Sequence, residues 1–246
     1  MRHIKLLILC ASLCFVSAVL PPYIKVCNRN SPDVTKCIIN SVEELRPKLK
    51  EGIPELHVPS IEPLPLEQIQ MRSGPNTAKI DANITNLMVW GPSSFEIIDL
   101  KPDIKKNRFI FRINVPQIYF EGDYDINMNI LVLKYKGQGP ITGNFTNLGA
   151  DVLLKGRLVK FDGVTHLQFQ KFTIHLNVEK SYLYLANLFS GNRNIGRATN
   201  QVVNDNSDLF LNEIMPNLES ALADKFTEVA NIICKTFAYD ELFPTN

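Results

Sequence analysis

From Phe109 to Val178 apolar and polar residues alternate with a period of two, and from Asp208 to Phe237 a single apolar stripe recurs at helical spacing. Tyr124, Ile126, Met128, Ile130 and Val132 share one face of a strand, while Asp125, Asn127 and Asn129 take the other. Phe109, Phe111, Ile113 and Val115 alternate in the same way with Arg108, Arg112 and Asn114, and Phe172, Ile174, Leu176 and Val178 repeat the pattern. This is the pattern of antiparallel strands with one buried face. Such a sheet must close on itself, stack on a second sheet or wrap something, and the long apolar element left over is the C-terminal helix. The expected architecture is α+β, a strongly curved antiparallel sheet wrapped around a long C-terminal helix.

The remaining segments fill in this outline. Ser31-Pro32-Asp33 starts a helix, with a capping hydroxyl, a proline in the first turn and an acid beside it. Val34, Cys37, Ile38, Val42, Leu45 and Leu49 keep helical spacing, Pro47 is expected to break or restart the helix, and Gly52 ends it. The proline-rich stretch from Ile53 to Pro75 reads as extended chain and edge strand. Strands begin near Ala78. Turn signals at Gly91-Pro92, Lys101-Pro102, Glu121-Gly122-Asp123, Gly137 to Pro140 and Asp162-Gly163 divide the rest into a hairpin-connected meander. A helix is expected from about Ile195, and Pro216 is expected to kink the last one.

Residues 1–18 read as a secretory signal peptide: Arg2, His3 and Lys5 precede an apolar run from Leu6 to Val16, and Val16-Ser17-Ala18 has signal-peptidase spacing. The run is shorter than the roughly 20 residues that span a bilayer, so stable membrane insertion is not expected. Without Arg2 and Lys5 the chain keeps 24 of its 26 Lys and Arg against 25 Asp and Glu, a net charge of −1. That balance argues against nucleic acid, which selects for clustered positive charge. Cys10 and Cys14 leave with the signal. In an oxidising compartment Cys27 and Cys37 are expected to form a disulfide, a metal site being the weaker alternative, and Cys234 among Val229, Ile232, Ile233 and Phe237 is expected to be a buried thiol.

No nucleophile elbow, zinc-protease motif or phosphate-cradling glycine loop occurs, so neither a catalytic site nor a cofactor or metal is expected. Gly137-Gln138-Gly139 reads as a turn, and His57, His166 and His175 read as surface histidines. Asn83-Ile84-Thr85 and Asn144-Phe145-Thr146 are glycosylation acceptors, with Asn83 in a solvent-facing strand phase. The inward phases leave two readings open, ordinary core or an elongated apolar cavity. If a cavity, its expected lining is Phe111, Ile113, Tyr124, Ile126, Met128, Phe169, Phe210 and Ile214, with Tyr124 offering a polar tip to a ligand oxygen or to a backbone carbonyl.

The Cys27 and Cys37 pair, Gly52-Ile53-Pro54, Glu62-Pro63-Leu64, Gly91 with Ser93, Pro116 and Gly122-x-Tyr124 together resemble the takeout and juvenile hormone binding protein family of insects. Gly137-x-Gly139, Asn187-Leu188-Phe189-x-Gly191-Asn192, Asn204-x-Asn206, Pro216 and Asp240-Glu241-Leu242-Phe243-Pro244 continue the resemblance in order, over nearly all of Cys27 to Pro244. It implies a tubular lipid-binding (TULIP-like) fold in a single domain over residues 19–246. It further implies a secreted carrier of a small lipophilic ligand such as a terpenoid, fatty acid or related signal, and no enzyme. Hormone-binding members carry a second disulfide that Cys234 cannot supply, so the takeout branch is the closer likeness. That branch is associated with circadian, feeding and chemosensory physiology, which implies as an alternative a secreted signalling or interaction protein acting through a protein receptor. A secreted lipase ranks third.

Overall fold

A computed structural model describes residues 20–73, 79–130, 133–188 and 193–245. The segment read as a signal peptide, residues 1–18, lies outside them. The chain runs α1 (Val34–Glu51), β1 (Leu64–Ser73), β2 (Lys79–Trp90), β3 (Glu96–Asp103), β4 (Arg108–Ile130), β5 (Leu133–Phe161), β6 (Val164–Phe169), β7 (Thr173–Leu185), α2 (Arg193–Asp205), α3 (Ser207–Thr236) and α4 (Tyr239–Leu242). Pro47 and Pro216 both sit inside their helices, which continue past them to Glu51 and Thr236.

All strand pairs are antiparallel, but the sheet is not the simple meander expected. β4 and β5 form its spine, paired from Arg108↔Lys155 to Ile130↔Leu133. β3 pairs with the first part of β4 and β2 with the second, while β7 and β6 pair with successive parts of β5. β1 pairs with β2 alone. The turns expected at Glu121-Gly122-Asp123 and Gly137 to Pro140 do not exist. These segments pair with each other inside the two long strands, Gly122↔Ile141 and Tyr124↔Gly139 among them. Gly139 is there for close approach rather than for a reversal: a Cβ on it would lie 2.8 Å from the carbonyl oxygen of Ala186 and 3.3 Å from the Tyr124 ring.

The sheet is large and curled but does not close into a barrel. α3 fills the opening, packing against β6 and β7 at one end of the sheet and against β1 at the other. The β7 edge is satisfied by side chains of α2 and α3. Asn200 donates to the Leu185 carbonyl and accepts from its N–H, Asn204 does the same for Leu183, and Glu219 accepts from Leu176 N–H. Farther along α3, Thr227 accepts from Phe172 N–H, and Asn231 accepts from Phe169 N–H and donates to its carbonyl. The helices do for this edge what a further strand would otherwise do.

At the N-terminus a disulfide joins Cys27 to Cys37 on α1, with Cα atoms 5.8 Å apart. His166 is not the surface residue expected. Its Nδ1 lies 3.2 Å from the Cys234 carbonyl and 3.0 Å from that of Phe237, a position that suits a donor to the last turn of α3.

Candidate ligand cavity

Inside the curl lies a cavity of about 640 Å³. Close-packed interiors contain few voids larger than a water, whose share of liquid volume is about 30 Å³, so this space is not a packing defect. One wall is α3, whose Leu211, Ile214, Leu218, Leu222, Phe226, Val229 and Ile233 recur every three or four residues. The opposite wall is the inner face of the sheet.

Both spine strands change phase, and they change it together. On β4 the inward residues run Phe109, Phe111, Ile113, Val115 and then Ile118 and Phe120, so the alternation skips at Pro116-Gln117. On β5 they run Ile141 and Phe145, then Leu148, Ala150, Val152 and Leu154, with the skip at Asn147 in the left-handed region (φ 51°). The irregularities lie beside each other in the ladder, between Val115↔Leu148 and Gln117↔Thr146, so the inner face stays apolar along its whole length. Ile38, Val42 and Leu49 of α1, Val58, Pro59 and Ile61 of the segment before β1, and Pro92 and Phe95 of the turn after β2 complete the lining. Among the described residues, no side chain with a charged or hydrogen-bonding group takes part.

Charge sits just outside. The Glu62 carboxylate accepts hydrogen bonds from Gly91 N–H (2.9 Å) and Ser93 N–H (3.2 Å). Partial burial pushes its pKa up, but the bonds from Gly91 and Ser93 outweigh that and hold it below the ordinary glutamate value. Arg46 of α1 donates to the carbonyls of Ser93 (2.9 Å) and Phe95 (2.6 Å), with its guanidinium 3.9 Å above the Phe95 ring. The turn that presents Pro92 and Phe95 to the cavity is therefore held from two sides.

Of the residues expected to line a cavity, Phe111, Ile113 and Ile214 reach it. Tyr124 does not. It is buried deeper along β4, and its hydroxyl donates to the carbonyl of Ala186 at 2.7 Å, the backbone alternative left open from sequence. Phe210 and Ile126 pack in the same hydrophobic cluster as Phe120 and Phe145, whose rings lie 5.1 Å apart. Phe169 packs edge-on to Phe109 and Phe172, on the side of Cys234 and Tyr239. The Met128 side chain lies outside the described residues. Sequence reasoning missed Ile118 and Phe120, which the break at Pro116 would have signalled, and missed the lining from α1, β1 and Phe95 altogether.

Residues 6–244 match the family model described as haemolymph juvenile hormone binding protein. The chain belongs to that family. It is 24% identical to the circadian clock-controlled protein daywake of Drosophila melanogaster, over 84% of this chain and 83% of the relative. It is 22% identical to a putative beta-carotene-binding protein of Schistocerca gregaria, over 90% of this chain and 88% of the relative. Among solved structures, Takeout 1 of Epiphyas postvittana superposes with a TM-score of 0.76 at 21% identity, covering 90% of this chain and all of that one, a likeness of fold. The family is one of binding proteins, and the apolar cavity is the feature of this chain suited to a lipophilic ligand. Among the described residues no helix is long and apolar enough to cross a membrane.

Proposed function

We propose that this protein is a secreted carrier that holds one extended lipophilic molecule in the cavity between the curved sheet and α3, and that it catalyses no reaction on it. The observation that carries this reading is the cavity itself: about 640 Å³, within the range of small-molecule sites, lined among the described residues by hydrocarbon alone. Removing a ligand chain from water contributes about 0.8 kcal/mol per methylene. Some ten buried methylenes supply about 8 kcal/mol and some fifteen about 12 kcal/mol, so the gain set against the roughly 4–15 kcal/mol lost on association grows with every further methylene buried. A long hydrocarbon can bind without a polar anchor inside. A terpenoid, a fatty acyl chain or a polyene of the kind named for the Schistocerca relative fits that chemistry, with any polar end lying toward the mouth.

Titration of the full chain with a fluorescent fatty-acid probe tests the proposal. The wild type should bind one probe, and Ile113→Trp and Leu218→Trp, on facing walls, should weaken binding at least tenfold while keeping the thermal midpoint close to that of the wild type. A wild type that leaves the probe spectrum unchanged overturns the reading. So do Trp variants that lose about 1–3 kcal/mol of stability, the signature of an overpacked solid core.

A further inference from the structure

We propose that Asn144 carries an N-linked glycan whose first sugar sits between the rings of Tyr119 and Tyr182 on the outer face of the sheet. The register places these residues. Trp90 of β2 pairs with Tyr119 of β4, Tyr119 with Asn144 of β5, and Asn144 with Tyr182 of β7. Four strands thus contribute one straight row, in which neighbouring side chains stand about 5 Å apart. Tyr119 is 44% exposed and Tyr182 53%, so both rings lie open on the solvent face of a sheet whose other face holds the apolar side chains. Trp90 supports the row from one end, its ring centroid 5.5 Å from that of Tyr119.

Asn144 is exposed, and among the described residues its side chain has no hydrogen-bond partner. Phe145, the middle residue of the acceptor triplet, points inward and lines the cavity, so Asn144 and Thr146 both face solvent. The C–H-rich face of an N-acetylglucosamine is a good partner for an aromatic ring, and tyrosine offers that surface with little rotamer entropy to lose. The second acceptor in the chain is an internal contrast. Asn83 has Gln70 and Asp125 as its ladder neighbours, no aromatic ring beside it, and its Oδ1 accepts from Gln68 at 2.7 Å.

The chemistry is that of the secretory pathway, so this inference rests on the proposed secretion. Asn144 Nδ2 attacks the anomeric carbon of a lipid-pyrophosphate-linked oligosaccharide. The new N–C bond replaces the C–O bond to the pyrophosphate, which leaves with the electron pair as Nδ2 gives up one proton. The transfer must precede completion of the sheet, because β7 arrives after β5 and then fixes Asn144 in an extended ladder.

The test uses the full chain expressed in insect cells and collected from the medium. Glycopeptide mass spectrometry should find Asn144 occupied, with the modification lost in Thr146→Ala and kept in Thr146→Ser. Trimmed enzymatically to its first sugar, the wild type should melt several degrees above the same protein with the glycan removed entirely. That gap should vanish in Tyr119→Ser/Tyr182→Ser. Exported protein with a bare Asn144, or an equal melting gap in both backgrounds, overturns the proposal. A wild type that is never exported overturns the secretion reading and this site with it. Failure of probe binding with Asn144 occupied overturns the carrier alone.

Discussion

Glu62 and Gly91 are far apart in sequence and adjacent in the fold, and both belong to the pattern by which the chain resembles its family. Gly91 adopts φ 103°, and a Cβ there would lie 2.1 Å from the Gln117 carbonyl oxygen, so no other residue fits. Glu62 then receives the N–H groups of Gly91 and Ser93. Because the folded state lowers the pKa of Glu62 below the ordinary value of about 4.3, its contribution is complete above that value and is lost as the pH falls through the lower, folded one. Glu62→Gln should cost about 1 kcal/mol at neutral pH, since water screens much of the charge. Urea denaturation in neutral and acid buffer should show the deficit against wild type shrinking in acid. Cys234 behaves oppositely: burial pushes its thiol up to about 12. The native protein at mildly alkaline pH should therefore resist thiol reagents, with labelling appearing only at the denaturant concentration that unfolds the chain.

The pairing of α2 and α3 with β7 rests on a match of two repeats. Four residues of helix rise about 6.0 Å and two of strand about 6.6 Å, so a polar side chain every fourth or eighth helical position meets every second or fourth strand residue. Asn200 and Asn204 meet Leu185 and Leu183, and Glu219 and Thr227 meet Leu176 and Phe172, helix and strand running in opposite directions. Asn204→Leu removes both partners of Leu183 and should cost about 1–3 kcal/mol, read by urea denaturation. The apolar stripe of α3 was legible in the sequence because it answers to one period. The polar row was not, since Asn200, Asn204, Glu219, Thr227 and Asn231 are residue types that normally face water. The strand ends were misread for a related reason: Gly122 and Gly137 to Pro140 look like punctuation until β4 and β5 are known to pair through them. Likewise two separate alternations share β4, one on each side of Pro116: Phe111 and Ile113 of the first lie on the cavity wall, whereas Tyr124 and Ile126 of the second pack in the buried cluster with Phe210.

At the scale of the whole molecule, α3 takes the place that a strand-to-strand closure would occupy, and the interior it seals is hollow. Unfolding destroys that hollow and lets water occupy the space, so the unfolded chain and its solvent together take up less room than the folded protein. Hydrostatic compression should therefore denature the empty protein at moderate pressures, in step with the void that disappears. A hydrocarbon filling the space removes most of that volume change. Pressure-dependent fluorescence of delipidated and probe-loaded protein should show a smaller volume of unfolding for the loaded form. Equal volumes would mean that the probe leaves the void as it was. On the carrier reading proposed above, a bound hydrocarbon would therefore also be a mechanical filling, and its release would leave behind a softer protein.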